Sequence, residues 1–208
     1  MEINSSRFLS SAPSTTLCPD SKMHEYAFIG RSNVGKSSLI NMLTRHNGLA
    51  MTSSTPGKTM LINHFIINEE SQPWMIVDLP GYGYAKRSKA DRDRIRAIIE
   101  DYIVNRPQLT CLFVLIDSRH KPQAIDLEFM EWLATEGVPF AMVFTKLDKL
   151  TPTAGKKSIE LYLEKMKESW EELPPVFRTS SNDKRGRNEL LEYIGELNTL
   201  PVDRSEEA

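Results

Sequence analysis

Cysteine is scarce in this 208-residue chain: Cys18 and Cys111 are its two, far apart, with Cys111 inside an apolar run. That excludes a disulfide scaffold and a zinc site of the usual spacing, and points to reduced, structural thiols of the kind found in a cytosol. The N-terminal stretch also lacks a hydrophobic run. Met1 to Met23 is rich in Ser and Thr and holds Pro13 and Pro19, so it reads as neither a signal peptide nor a membrane span. The expected location is cytoplasmic. An excess of one charge is missing too. With 26 Lys and Arg against 28 Asp and Glu, the formal net charge is -2, which argues against wholesale coating of nucleic acid but allows a local basic face. Basic residues gather at Lys86, Arg87, Lys89, Arg92, Arg94 and Arg96, and at Lys184, Arg185 and Arg187. No internal repeat is visible. What is present is one domain of ordinary size, whose 40% hydrophobic content is enough for a core.

The run Gly30-Arg31-Ser32-Asn33-Val34-Gly35-Lys36-Ser37 fits the phosphate-binding pattern G-x-x-x-x-G-K-S/T. Gly30 and Gly35 allow the backbone to turn tightly and lay N–H groups against phosphate oxygens. Lys36 can reach the β- and γ-phosphates, Ser37 can offer its hydroxyl to magnesium, and the helix starting near Lys36 points its positive end at the same charge. The flanks suit this reading. Tyr26-Ala27-Phe28-Ile29 is a buried-strand pattern, and Ser38 to Leu43 has helical spacing of apolar positions.

Downstream, Met60 to Asn68 and Gln72 to Asp78 read as an antiparallel hairpin closed by Glu69-Glu70-Ser71. A charged helix from Ser88 to Asn105 precedes the strand Cys111 to Ile116. A helix from Gln123 to Thr135 precedes the strand Val138 to Phe144. A helix from Thr153 to Trp170 leads to the short strand Val176-Phe177, and a last helix runs from Asn188 to Leu197. Such alternation implies an α/β fold, a six-stranded, mostly parallel sheet with one antiparallel strand and helices on both faces. Residues 1–21 are expected to be a flexible extension, 22–200 the domain, and 201–208 a mobile tail.

Ligands of such sheets sit beyond the carboxyl ends of the strands, where this sequence is polar. Asp78-Leu79-Pro80-Gly81 is a D-x-x-G element: the carboxylate can hold magnesium through water and the Gly81 N–H can meet a γ-phosphate. Thr145-Lys146-Leu147-Asp148 follows the fifth strand. A carboxylate at Asp148 accepts from N1–H and the exocyclic amine of guanine, whereas adenine would leave it unpaired, so GTP is chosen over ATP. Lys146 would lay its stem on the ring. Thr179-Ser180-Ser181 could turn backbone N–H groups toward the guanine oxygen. Between the first helix and the hairpin, Ser54-Thr55-Pro56-Gly57-Lys58-Thr59 ends in a hydroxyl that could complete the magnesium shell, with Thr55 as competing candidate.

Together, the segments Gly30 to Ser38, Thr55 to Thr59, Asp78 to Ala85 and Thr145 to Asp148 resemble the EngB (YsxC/YihA) family of bacterial P-loop GTPases over roughly Lys22 to Asn198. The resemblance implies a single GTPase domain that binds GTP or GDP with Mg2+. It implies partners in the large ribosomal subunit or its precursor, both rRNA and ribosomal proteins, and a need for the protein in normal cell division and septation. No membrane or DNA partner is implied, and a monomer is expected. Nucleotide contacts carried over are Gly30 to Ser38, Gly57, Lys58, Thr59, Met60, Leu61, Asp78, Leu79, Pro80, Gly81, Thr145 to Asp148 and Thr179 to Ser181. Ser37, Thr59 and Asp78 would serve the metal, and Lys36, Thr59 and Gly81 the chemistry.

Two departures bear on mechanism. Tyr82 stands where many GTPases of this fold have a glutamine that orients water, so intrinsic hydrolysis is expected to be slow without a partner. Thr145 replaces a commoner asparagine, which weakens the expectation for purine N7. Asn33 matches an asparagine that in related GTPases helps hold K+, and equally suits a turn residue. A P-loop ATPase or kinase and a GTP-held scaffold with negligible hydrolysis remain open at this point.

Overall fold

The computed structural model describes residues 1–51, 61–83 and 88–202. Among the described residues, seven strands form one sheet: β1 (Ser6–Ala12), β2 (Glu25–Gly30), β3 (Ile62–Ile67), β4 (Trp74–Asp78), β5 (Leu109–Asp117), β6 (Phe140–Thr145) and β7 (Val176–Arg178), in the order β1-β3-β4-β2-β5-β6-β7. β4, β2, β5, β6 and β7 pair in parallel, while β3 is antiparallel to both β4 and β1. One antiparallel strand was expected, and β3 is it.

The sheet has one strand more than the six expected. The addition, β1, lies inside the segment read as a flexible extension and runs along the outer edge of β3 from Ser6↔Ile67 to Ala12↔Ile62. Its sequence, SRFLSSA, is polar because an edge strand is only partly covered. Nothing in it alternates strongly enough to be read as a strand. Asn68 fixes the segment further: its side-chain oxygen accepts from the Asn4 and Ser5 N–H groups and its amide donates to the Glu2 carbonyl.

Among the described residues, five α-helices cover the faces: α1 (Lys36–Thr44), α2 (Lys89–Asn105), α3 (Ala124–Thr135), α4 (Pro152–Lys167) and α5 (Arg187–Leu197). The apolar strands are continuous because both of their faces are covered. In β2, Ala27 and Ile29 pack toward α2, α3 and α4, while Tyr26 and Phe28 pack toward α1 and α5. β5 divides the same way, with Leu112, Val114 and Ile116 on one side and Cys111, Phe113 and Leu115 on the other. Helix starts follow local chemistry. Ser88 caps α2 by accepting from the Asp91 N–H, and Thr151 caps α4 from the Ala154 N–H ahead of Pro152. The fourth helix stops at Lys167, short of Trp170, whose ring packs edge-on against Phe140.

At the end of the sheet opposite the phosphate loop, the fully buried Glu25 carboxylate pairs with Arg106 and accepts from the Tyr102 hydroxyl. Arg187 belongs to the interior too. Its guanidinium donates to the Met42 and Leu43 carbonyls, so it closes the C-terminus of α1 rather than joining Lys184 and Arg185 in a surface basic cluster.

Candidate nucleotide-binding site

The carboxyl ends of β2, β4, β5 and β6 lie side by side, and the residues following them form the site. Gly30 ends β2, and a Cβ there would sit 2.9 Å from the Leu115 carbonyl and 3.0 Å from the Val34 side chain. Only glycine lets the loop pass this close to β5. Asn33 (φ 62) and Gly35 (φ 106) are left-handed, which curls the backbone before α1 begins at Lys36. Ser37 and Ser38 occupy the first turn of α1. This is the nest of N–H groups at a helix N-terminus that suits phosphate. Val34 is buried in the core, so its part in nucleotide contact is confined to its backbone.

The Lys36 amine reaches the Asp78 carboxylate at the end of β4. Burial pushes the amine down to about 7, and the negative charge of an arriving triphosphate would favour its protonated form, as the Asp78 carboxylate beside it does. Lysine for phosphate, Ser37 hydroxyl and Asp78 carboxylate for a hydrated hard cation are an oxygen-donor set suited to Mg2+, and together with the glycine cradle they fit a Mg2+–nucleotide. Leu79 is buried in the core and its N–H donates to the Phe28 carbonyl, which aims the peptide toward Pro80 and Gly81 and leaves Leu79 no side-chain role with nucleotide.

Tyr82, the residue in place of a glutamine, turns away under α3. Its N–H donates to the Gly30 carbonyl, its ring lies 4.6 Å from that of Phe129, and its hydroxyl faces the buried Asp126 carboxyl. Burial raises both the phenol and the Asp126 carboxyl above their ordinary values. Gly83 (φ 78) continues the run, where a Cβ would meet Ile125 at 3.2 Å. A groove of about 520 Å³ opens beside it between α2 and α3, floored by Ile95, Ile99 and Phe129; it borders Tyr82 but not Lys36.

The base side is built on the loop after β6. Thr145 is buried, and its hydroxyl donates to the Val34 carbonyl at 2.6 Å. It therefore ties the phosphate loop to the sheet, a purpose threonine meets without asparagine. Lys146 (φ 61) donates to the Asn33 carbonyl and to Asp117 at 2.9 Å. Leu147 is buried in the core. Asp148 accepts from Ser180 Oγ at 3.0 Å and pairs with Lys149, and these contacts hold its carboxyl below the usual range. Of the backbone donors expected at Thr179 to Ser181, two are already engaged: Thr179 N–H to the Phe144 carbonyl and Ser180 N–H to the Arg185 carbonyl. Ser181 alone of the three is left for the guanine oxygen.

Thr55, Gly57, Lys58, Thr59, Met60, Lys86 and Arg87 lie outside the described residues, as do residues 203–208; Leu61 is described and partly exposed ahead of β3. Two residues of the site carry no motif. Asp126 is a helix acid of ordinary appearance. Asp117 ends an apolar run, a position opposite Thr145 in the β5–β6 register that the run itself marks as strand-terminal.

Residues 25–146 match a family model described as 50S ribosome-binding GTPase. Among curated proteins, the probable GTP-binding protein EngB of Bacteroides thetaiotaomicron is 61% identical over 93% of this chain and 95% of its own. The protein of the same description from Phocaeicola vulgatus is 60% identical over 95% and 98%. A crystal structure of a probable GTP-binding protein engB superposes with a TM-score of 0.65 at 25% identity, covering 84% of this chain and 98% of that one. Identity of this order across nearly the full length of both chains, on a site built to cradle a Mg2+–nucleotide, means that the chain belongs to the EngB family of GTP-binding proteins.

Proposed function

We propose that this GTPase is a slow, Mg2+-dependent nucleotide switch that acts on the large ribosomal subunit or its precursor. The carrying observation is that Lys36, held by Asp78, and Lys146, held by the Asn33 carbonyl, converge on one loop, so phosphate and base are read by a single connected structure. Ser37 and Asp78 would hold the Mg2+, with Thr59 as the third candidate; when bound, the ion neutralises the β- and γ-phosphate oxygens. Asp148 would then accept from the guanine edge. Replacement of Asp148 by Asn should lower GTP affinity and shift preference toward xanthine nucleotides; unchanged GTP binding, or equal binding of ATP by the wild type, would remove the guanine reading.

Slow turnover is supported by Tyr82, which stands where a water-orienting glutamine is common and whose ring packs on Phe129 with its buried hydroxyl beside Asp126. The same observation favours a second reading, a GTP-held scaffold with negligible turnover. Multiple-turnover phosphate release with and without large subunits separates the two. Asn33 is solvent-exposed with the backbone of a turn residue; its K+ role stands or falls on whether hydrolysis changes when K+ replaces Na+. The description of the matching family model as a 50S ribosome-binding GTPase and the exposed Lys89, Arg92, Arg94 and Arg96 on α2 support engagement of rRNA phosphates. Co-sedimentation with large subunits should favour a non-hydrolysable GTP analogue over GDP and weaken with salt. A cytoplasmic monomer without DNA or membrane partners fits this role, and the family's part in cell division and septation would follow from ribosome supply.

A further inference from the structure

We propose that Asp117, at the end of β5, is a positioning residue for guanine recognition, holding the Lys146 ammonium so that the lysine stem is already set where the base stacks. The carboxylate is placed by register: Asp117 pairs with Thr145 across β5 and β6, and so emerges beside the residue that precedes Lys146. Its Oδ2 lies 2.9 Å from Lys146 Nζ, and the same ammonium also donates to the Asn33 carbonyl in the phosphate loop. The stem is thus pinned at its head by two acceptors and at its base by a left-handed backbone, φ 61.

The clamp is itself held. Asp117 Oδ1 accepts from the Arg119 N–H at 3.1 Å and from Arg119 Nε at 2.9 Å, and Oδ2 accepts from Arg119 Nη2 at 2.7 Å. Ser118 binds the turn to β6 through its N–H and Oγ, both donating to the Thr145 carbonyl at 3.2 and 2.6 Å. Ser158 on α4 donates to the Ser118 carbonyl at 2.6 Å. Although burial acts to raise the Asp117 carboxyl, the Arg119 and Lys146 bonds bring it to about 2, so it is ionised wherever the protein works. A lysine left unanchored would have to surrender its rotamer freedom on each binding event; here that loss precedes binding. Charge-assisted bonds of this kind are the stronger class.

This role rests on the guanine-nucleotide reading, and dissociation of fluorescent mant-GDP, measured by stopped flow on the full chain, tests both. Wild type must bind mant-GDP; if it does not, the guanine reading and this role fail together. Asp117→Asn, which keeps the side-chain shape, should speed dissociation about tenfold to a hundredfold, and by the same factor for mant-IDP, whose base lacks the exocyclic amine. In a Lys146→Met background the same substitution should change the rate less than about twofold. An unchanged rate in Asp117→Asn, a loss confined to the guanine ligand, or additive losses in the double variant would overturn the proposal. A purely structural Asp117 would give that additivity together with a lowered melting temperature. Should Asp117→Asn fail to fold, Arg119→Ala at its exposed position carries the test, with a smaller acceleration expected and no acceleration counting against the role.

Discussion

Gly30 shows how narrow the tolerance is at single positions. Its missing Cβ would sit 2.9 Å from a backbone oxygen of β5, and backbone cannot swing aside as a side-chain tip can. Gly30→Ala should therefore shift the phosphate loop, destabilise the fold by about 1–3 kcal/mol and weaken nucleotide binding more than it lowers stability. Denaturant unfolding and nucleotide titration on one preparation would compare the two losses. At this scale much of the candidate site was legible. Lys36, Asp78, Lys146 and Asp148 announce themselves as candidates because phosphate, magnesium and guanine each demand particular groups at short spacings, and the structure brings Lys36 to Asp78 and Lys146 to the phosphate loop. Asp117 did not, since its meaning depends on which residue of a neighbouring strand it faces. Nor did the real use of Thr145, whose hydroxyl is spent on the Val34 carbonyl.

Among the elements, β1 and the turn into α2 depend most on their neighbours. β1 covers the edge of β3, so removal of residues 1–12 should expose the β3 ladder, lower Tm and raise light scattering on heating. A truncated chain that melts and scatters like the intact one would mean that β1 adds little. The turn at Tyr82 makes a different prediction. Because its hydroxyl faces Asp126 while its ring packs on Phe129, Tyr82→Phe should leave intrinsic GTP hydrolysis within about twofold; a tenfold or greater fall would place the hydroxyl in the chemistry. Tyr82→Ala, which also removes the ring contact, should destabilise the protein by about 3 kcal/mol. Helices were legible from spacing and caps. The edge strand was not, because half of what makes it a strand is the hydrogen-bonding row of β3.

For the whole molecule, the two-sided core sets how stability answers to pH. His64 is fully buried near Glu25 and Arg106, with Tyr102 packed edge-on against it, and burial brings its imidazole down to about 4. The unfolded chain takes up this proton near 6.5 and the folded one only near 4, so the unfolded state binds more protons between those values. Stability from this residue is complete above that window and falls with pH through it. Between about pH 7 and about pH 5 the loss should be about 2 kcal/mol. His64→Leu should flatten that part of the profile in denaturant unfolding, leaving the slope due to carboxylates; an unaltered slope would show that His64 is protonated in the fold.

The amino-acid sequence by itself determined the α/β class, the hairpin, the phosphate loop and the guanine-type motif at Thr145 to Asp148, because each follows from residues close together in the chain whose chemistry has few substitutes. Tertiary structure alone decided that the N-terminal segment is an edge strand, that Arg187 closes a helix inside the core, that Tyr82 is turned under α3 and that Asp117 clamps Lys146. Those four depend on strand register and on partners distant in the chain, from 29 residues between Asp117 and Lys146 to 145 between Met42 and Arg187, and spacing along a chain does not encode which of many polar groups a fold will bring together.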